Sequence, residues 1–538
     1  MPDEMTEHGL KLHPFHGGLE LPGHKEESTR EPVLPMRVPG RLIVPLRQHI
    51  GEEAEPCVKA GDRVNKGSVI GVCDTYVGAP VHAPSSGYVV EVADHPVPHP
   101  SGLSAPCVVI ETDGREYWGD SRLPHIEDYL NADPASLRYR IREAGIVGLG
   151  GAAFPSAVKL TPRPGHKLDC LVINASECEP YITCDDMLMR THANQVIEGI
   201  RILKQAVQPR CCLIGIEDHM TAAIEALRRA LGGDDVDGIR IVPIPSLYPA
   251  GGERQLIQVL TGREVPSQGL PADIGMVCQN VGTAAAVYRA VALGEPLLSR
   301  IVTVTGGGVN RPRNLEVLIG TPIAELVDAS GGYTSAVSRL IMGGPMMGFG
   351  LPSDEVPVVK ATNCILAATD EDIAPPGPVM PCIRCAECVR VCPAQLLPQQ
   401  IYWYARAKDF DKAQDYNLFD CIECGCCAYV CPSNIPLVQY YRYAKTEIWA
   451  QERERRKADI ARERHEFRQA RLEQEAREKA ERLARKKAAL AAKQGDPGED
   501  PKKAAIQAAL ERARARKATQ ESEQMDTEKT DRDKEPSG

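Results

Sequence analysis

The sequence predicts a multidomain α/β chain, and three patterns carry that prediction. Short β runs punctuated by glycine turns fill residues 41–112. Strands alternate with helical stretches from about 134 to 290, the pattern of βαβ units. A cysteine spacing, C-x₂-C-x₂-C-x₃-C-P, then occurs twice between 382 and 432. At 538 residues the chain is long enough for three or four units with separate cores.

Residues 1–40 form a leading segment. Through residue 30 it is polar and charged (Asp3, Glu4, Glu7, Lys25, Glu26, Glu27), without the apolar stretch of a signal peptide. It contains Phe15-His16-Gly17-Gly18 and Leu21-Pro22-Gly23-His24-Lys25. Its histidines lie in a Gly/Pro-rich stretch, which favours an ordered loop over a metal site. Residues 41–125 alternate apolar and polar positions in Arg41–Pro45, 58–64, 68–72, 81–84 and 87–92, with Gly-Asp and Ser-Gly turns between them. That is a small β-sandwich.

Residues 126–298 switch to the α/β pattern. A helix over 134–144 leads into Gly148-Leu149-Gly150-Gly151-Ala-Ala-Phe154-Pro155. Strands are expected at 168–174, 211–216 and Ile239–Ile244, with a helix over 186–206 and another opened by Gly251-Gly252-Glu253. A largely parallel sheet follows from that order. Residues 299–358 read as a compact β-grasp module, 359–447 as the cysteine-bearing domain, and 448–538 as a charged tail rich in Ala, Arg, Lys and Glu. Phe467 is the tail's one aromatic residue after 450, so it suits a solvated helix with little to bury.

Composition limits the function. The net charge of −10 argues against nucleic acid as the main ligand. The charge is uneven: residues 451–538 hold 24 Lys/Arg against 20 Asp/Glu, and the remainder 39 against 53. Nineteen cysteines in a chain this long point to a reduced, cytoplasmic setting rather than a disulfide scaffold. No stretch reaches the ~20 consecutive apolar residues of a membrane span, so a role at a membrane requires docking on a partner.

The glycine loop at 148–155 lets backbone N–H groups approach a phosphate, and a helix N-terminus beyond Pro155 is expected to add a favourable dipole. The loop follows a helix, unlike the usual dinucleotide fingerprint. The cysteine runs are Cys382, Cys385, Cys388, Cys392-Pro393 and Cys421, Cys424, Cys427, Cys431-Pro432. This is the run that holds 4Fe–4S clusters in bacterial ferredoxins, where the fourth cysteine of each run ligates the other cluster. Cys382, Cys385, Cys388 and Cys431 are thus expected to hold one cluster, and Cys392, Cys421, Cys424 and Cys427 the second. A pair of four-thiolate zinc sites is the alternative. Cys426 fits neither position, and the other ten cysteines read as small buried apolar residues.

The sandwich motifs V-x-x-G-D-x-V-x-x-G and A-P-x-x-G-x-V resemble lipoyl and biotinyl carrier domains. The hairpin that would present the modified lysine, 74–80, has none, so the domain is expected to be scaffold. The glycine loop, together with Asn174-Ala-Ser176-Glu177-Cys178-Glu179-Pro180, Tyr248-Pro-Ala-Gly-Gly252-Glu253 and Gln279-Asn280-Val-Gly-Thr283, resembles the NADH-oxidising flavin subunit of respiratory complex I. The resemblance implies FMN, with NADH as substrate. By it, Gly148, Gly150, Gly151 and Lys159 cradle the FMN phosphate, and Asn174, Glu177 and Asn280 bond flavin edges. Phe154 and Glu179 face the nicotinamide nucleotide, and Glu253 is the retained glutamate of a pair. Leu149, Ser176, Cys178 and Gly252 depart from that family's pattern.

The order of modules resembles the RnfC (RsxC) family, peripheral components of the Rnf ion-translocating electron transport complexes. That order is a carrier-like sandwich, a complex-I-like flavin domain, a β-grasp (SLBB-like) unit, an α-helical ferredoxin-like domain and a charged tail. The resemblance implies an enzyme-complex subunit, peripheral on the cytoplasmic side of the bacterial inner membrane. It also implies electron exchange between NADH and ferredoxin coupled to cation movement, and integral membrane and peripheral subunits as partners. Two alternatives share the layout: a soluble cobalamin-reductase-like protein, and an electron relay that has lost nucleotide binding.

Overall fold

The computed structural model of the chain describes residues 11–161, 167–492 and 502–530. The readings made for residues 1–10, 493–501 and 531–538 fall outside the described residues.

The N-terminal sandwich is built from two sheets. One contains Arg41–Pro45, Ser104–Thr112, Gly87–Pro96 and Arg63–Val64, and the other Glu55–Pro56, Val69–Val72 and Val81–His82. Leu42, Val44, Ile70, Val89, Val108 and Ile110 fill the space between them. The Ser104–Thr112 strand went unread in the sequence because its centre, Cys107 to Ile110, is a continuous apolar run without alternation. It pairs on both edges, with Arg41–Pro45 and with Gly87–Pro96.

The hairpin tip that carries the modified lysine in carrier domains is fastened to the neighbouring domain. Arg142 donates to the Thr75 carbonyl at 2.7 Å. Lys360, whose side chain is fully buried, donates to the Pro80 carbonyl at 3.2 Å and to Gly145 at 2.7 Å. His82 lies beside it, with neither ring nitrogen hydrogen-bonded to protein.

In the α/β domain, Ile239–Ile244, Cys211–Glu217, Cys170–Ala175 and Met276–Asn280 form a parallel sheet in that spatial order, with the short antiparallel Asp235–Val236 at one edge. Apolar residues on both faces of the strands pack under helices Cys184–Val207, Thr221–Leu231, Glu253–Thr261 and Val281–Ala292. Two of these helices touch backbone to backbone: a Cβ on Gly199 would fall 1.8 Å from the Ala284 carbonyl oxygen.

The next sheet has the order Arg313–Leu318, Ser299–Thr305, Cys364–Ala368, Arg339–Met342, Phe349–Gly350, with Leu34–Pro35 added at the outer edge. Helix Ile323–Ala329 completes a β-grasp arrangement. One boundary moves. The sequence assigns 359 onward to the cysteine domain, yet Cys364–Ala368 is an internal strand of this sheet, parallel to Ser299–Thr305 and antiparallel to Arg339–Met342. A five-residue apolar run has no periodicity that names its partner.

The cysteine domain packs helices Pro398–Ala407, Phe410–Asp415 and the start of Leu437–Ala492 around Ile401, Tyr402, Leu418, Ile435 and Tyr441. Met1–Ile448 and Trp449–Gly538 are separate compact units. The second unit continues the Leu437–Ala492 helix and adds Lys502–Thr530. Among the described residues, no helix is long and apolar enough to cross a membrane.

From residue 11 onward the leading segment is an ordered strap. Leu12 and Phe15 enter the α/β core, the Gly18 N–H donates to the Val391 carbonyl of the cysteine domain at 3.1 Å, and Met36 pairs with Glu316 of the β-grasp sheet.

Burial pulls the Lys360 ammonium down to about 7 from an ordinary 10.5. Between those values the unfolded chain holds a proton that the folded chain has released, so this residue's contribution to stability rises with pH from 7 towards 10.5. The difference in thermal midpoint between the wild type and Lys360→Met should therefore widen in the wild type's favour across that window. A pH-independent difference would contradict the assignment.

Candidate functional site

Successive strands leave Cys170–Ala175 in one direction, to Cys211–Glu217 and Ile239–Ile244, while Met276–Asn280 lies on its other side. The carboxyl ends of Cys170–Ala175 and Met276–Asn280 therefore flank the point where strand order reverses, where open α/β sheets bind ligands. Asn174 and Asn280 stand there as register partners. All four motif segments converge on this edge. Leu149 N–H donates to Thr283 Oγ1 at 3.0 Å, Asn174 Nδ2 to the Gly251 carbonyl at 2.8 Å, and a Cβ on Gly150 would sit 3.3 Å from Asn280 Cβ.

The glycine loop is closed by Gly148 N–H donating to the Phe154 carbonyl at 2.8 Å. Gly151 has φ +118, and a Cβ there would meet nothing within 4 Å. The helix after Pro155 is a single turn, Ser156–Lys159, so the dipole expected from it reduces to the local N–H groups. Ser156 Oγ is buried without a partner. Lys159 Nζ lies 2.7 Å from Glu253 Oε1. Burial works against the Lys159 charge, but Glu253 outweighs it and holds the ammonium above its ordinary value. The open face at Gly151, the unpartnered hydroxyl and the cation fit a phosphate, which would share Lys159 with Glu253.

The other expected contacts are engaged within the protein. Asn280 Oδ1 caps helix Val281–Ala292 through the Gly282 N–H at 2.8 Å, and its amide donates to Asp185 Oδ2 at 2.6 Å. Glu177, expected at a flavin edge, is buried and accepts the Asp185 and Asp186 N–H groups at 2.9 and 3.1 Å. It thereby caps the Cys184–Val207 helix. Burial and neighbouring Asp185 push its carboxyl up to about 8. Glu179, expected to face the nicotinamide, accepts the Met346 and Met347 N–H groups at 2.7 and 3.0 Å.

Several residues that shape this edge carried no motif signal. Lys25 donates to the Glu177 and Ile182 carbonyls at 2.5 and 2.6 Å, and to Glu179 at 3.2 Å. Arg300 donates to the Leu149 carbonyl at 3.2 Å and to the Lys360 carbonyl. A cavity of about 250 Å³ lies behind Leu149 and Gly282, with Asp185, Arg289, Arg300 and Glu316 in its wall.

The eight cysteines sort into two cavities. Cys382, Cys385, Cys388 and Cys431 line one, beside Tyr402 and Trp403. Cys392, Cys421, Cys424 and Cys427 line the other, beside Ile401 and Tyr441. Neither lining includes Cys426. Cys388 sits on the short helix Glu387–Arg390 and Cys427 on the short helix Cys426–Tyr429.

Among the described residues, the one trio of possible ligand atoms from His, Cys, Asp and Glu within 4.8 Å of one another belongs to Glu177, Cys184 and Asp185. Four thiolates on one zinc, at about 2.3 Å, would lie about 3.8 Å apart. The wider thiol-only sets fit a multi-metal cluster better than a zinc ion.

Comparison with known proteins adds four domain matches: a barrel sandwich hybrid domain described for RnfC over 13–115, a Nuo51 FMN-binding domain over 141–289, an SLBB domain over 301–350 and a 4Fe-4S dicluster domain over 381–435. The chain is 53% identical over 520 residues to the C-subunit of the ion-translocating oxidoreductase complex of Pseudomonas aeruginosa. That match covers 94% of this chain and 66% of that relative, so the chain spans just under two thirds of its length. The corresponding C-subunit of Salmonella gallinarum is 48% identical over 511 residues, covering 94% of this chain and 73% of that one. The crystal structure of an NAD+-reducing NiFe-hydrogenase matches at TM-score 0.40 and 18% identity, over 62% of this chain and 64% of that one, too loosely to carry an argument.

The φ of Gly151 makes a separable prediction. Gly151→Ala introduces no clash, yet L-residues seldom adopt that backbone, and the strain should cost about 1–3 kcal/mol. A lowered thermal midpoint for Gly151→Ala is expected; an unchanged midpoint would show that the loop relaxes freely.

Proposed function

The chain belongs to the RnfC family of ion-translocating oxidoreductase complexes, and from that premise we propose that it is the peripheral electron-transfer subunit of such a complex. In this reading it exchanges electrons between NADH or NAD+ and ferredoxin through FMN and two 4Fe–4S clusters, and the flow is coupled to cation transport. The observation that carries the reading is the seating of one cysteine cavity against the switch-point edge. Tyr248, from the same loop as Gly251 and Glu253, packs with Cys178, Cys424 and Cys426.

Each part of the chain then has a task. FMN, when bound, supplies the conversion between a two-electron carrier and one-electron clusters. Gly148, Gly150, Gly151, Ser156 and Lys159 hold its phosphate, with Glu253 keeping Lys159 in place. Asn174 and Asn280 set the floor of the crevice, and Phe154 the nucleotide side. Glu177 and Glu179 serve through the turn they fix, since their carboxylates are engaged by backbone N–H groups. Cys392, Cys421, Cys424 and Cys427 hold the cluster nearer the flavin, and Cys382, Cys385, Cys388 and Cys431 the outer one. Exposed Met380, Ile383 and Trp403 lie at or near the outer cavity, which suits electron exit to a partner protein. Attachment to the cytoplasmic face of the inner membrane runs through integral and peripheral subunits, with ferredoxin reached through them.

Iron, sulfide and FMN quantification with EPR of the NADH-reduced chain tests this reading. Bound FMN and two distinguishable cluster signals are expected. Cys431→Ser and Cys392→Ser should each lose about half the iron, with a different signal surviving in each. Clusters that form without flavin and stay oxidised under NADH would sink the proposal in favour of a relay without nucleotide binding.

A further inference from the structure

The Tyr248 hydroxyl donates to the main-chain carbonyl of Cys424 at 2.6 Å, within a buried contact. Its ring is 3% exposed and shares an apolar cluster with Leu19, Cys178, Cys424, Cys426 and Met346. On the other side, its backbone opens the loop whose Gly251 accepts from Asn174 at the sheet edge. A Cβ on Gly251 would lie 3.0 Å from Cys178 Sγ. One side chain therefore spans from the switch-point crevice to a cysteine lining the second cavity.

The surroundings hold the phenol in place from three directions. The leading strap bonds its backbone, Leu19 N–H to Tyr248 O at 2.8 Å and Tyr248 N–H to Leu19 O at 3.0 Å. The β-grasp loop closes over it: Glu179, beside the phenol, is fixed by Met346 and Met347, and a Cβ on Gly425 would lie 2.7 Å from the Met346 carbonyl oxygen. A tyrosine hydroxyl buried this deeply needs a partner, and it has taken the carbonyl of a thiolate-bearing residue.

We infer that Tyr248 is a positioning residue that couples the crevice to the four-cysteine site of Cys392, Cys421, Cys424 and Cys427. The inference rests on the electron-transfer reading above. It assigns two effects to one hydrogen bond. One electron delivered to that site, and lost by its donor, adds one negative charge there, and an O–H dipole aimed at the ligand loop stabilises that charge. Hydrogen bonding around cluster ligands is one of the determinants of reduction potential. The same bond also links the loop at 248–253 directly to the cluster-bearing loop.

The experiment is an EPR-monitored redox titration of Tyr248→Phe against wild type, poised with dithionite and mediators, so that it needs neither flavin nor NADH. The midpoint of one cluster should move to more negative potential while the other stays in place. Assignment uses Cys431→Ser, which leaves only the site in question. In stopped flow, reduction of that cluster by NADH should slow by about 2- to 12-fold, the factor equivalent to one neutral hydrogen bond, while flavin bleaching keeps its rate.

Two unmoved midpoints, or two that move together, would overturn the inference. If the titration behaves as expected but NADH reduces nothing, the flavin reading fails while the role of Tyr248 at the cluster stands. Should Tyr248→Phe lose iron, 3-fluorotyrosine placed at 248 keeps the ring and strengthens the donor. The same midpoint should then shift the opposite way, and an unmoved one overturns the inference.

Discussion

One ammonium group holds the turn on which the candidate site depends. Lys25 Nζ gathers the carbonyls of Glu177, Glu179 and Ile182, three dipoles that would otherwise repel at close range. Charge-assisted hydrogen bonds of this kind are stronger than neutral ones, and these are partly buried. With the turn closed, Glu177 reaches the first N–H groups of the Cys184–Val207 helix and Glu179 reaches the β-grasp loop. Asn174 is left at the strand end facing Asn280. The lysine comes from the strap, more than a hundred residues upstream, so the geometry of the α/β domain is set partly from outside it.

That strap also explains why the domains read as one body through Ile448. Phe15 is buried in the α/β core, His16 contacts the Cys392 carbonyl at 3.0 Å, and Glu31 pairs with Arg313 of the β-grasp sheet. Gly17 and Gly18 pass so close to Val391 and Tyr248 that a side chain at either would collide with backbone. Here the glycines serve close approach as much as turning.

The parts of this architecture that were legible in the sequence are those governed by short-range pattern. The parallel strands showed as apolar runs between helical stretches, and the fixed cysteine spacing marked out the eight cysteines that line two cavities. What stayed hidden depends on partners far apart in the chain. Lys25, Lys360 and Arg300 each look like ordinary charged residues locally, and only the fold shows that each meets backbone carbonyls from other segments. Cys364–Ala368 could not be assigned to its sheet, because an apolar run fits any buried strand. Glu177 and Glu179 were legible as part of a motif, but the carboxylates are turned to backbone N–H groups rather than into open space.

The fastening of the hairpin at 74–80 has a mechanical consequence. A carrier domain works by travelling, its tip visiting one site after another on a flexible tether. This tip has no lysine to be modified, and it is anchored by a lysine and an arginine supplied from elsewhere in the chain. A domain shape suited to motion has become a fixed wall behind the glycine loop, with the Ile50 N–H touching the Ala153 carbonyl at 3.3 Å. Electrons can cross between fixed centres without any protein part moving, provided the gaps do not fluctuate. Immobilising the sandwich turns a shuttle into masonry, and under the electron-transfer function proposed above, a protein that moves charge rather than chemical groups is served by masonry.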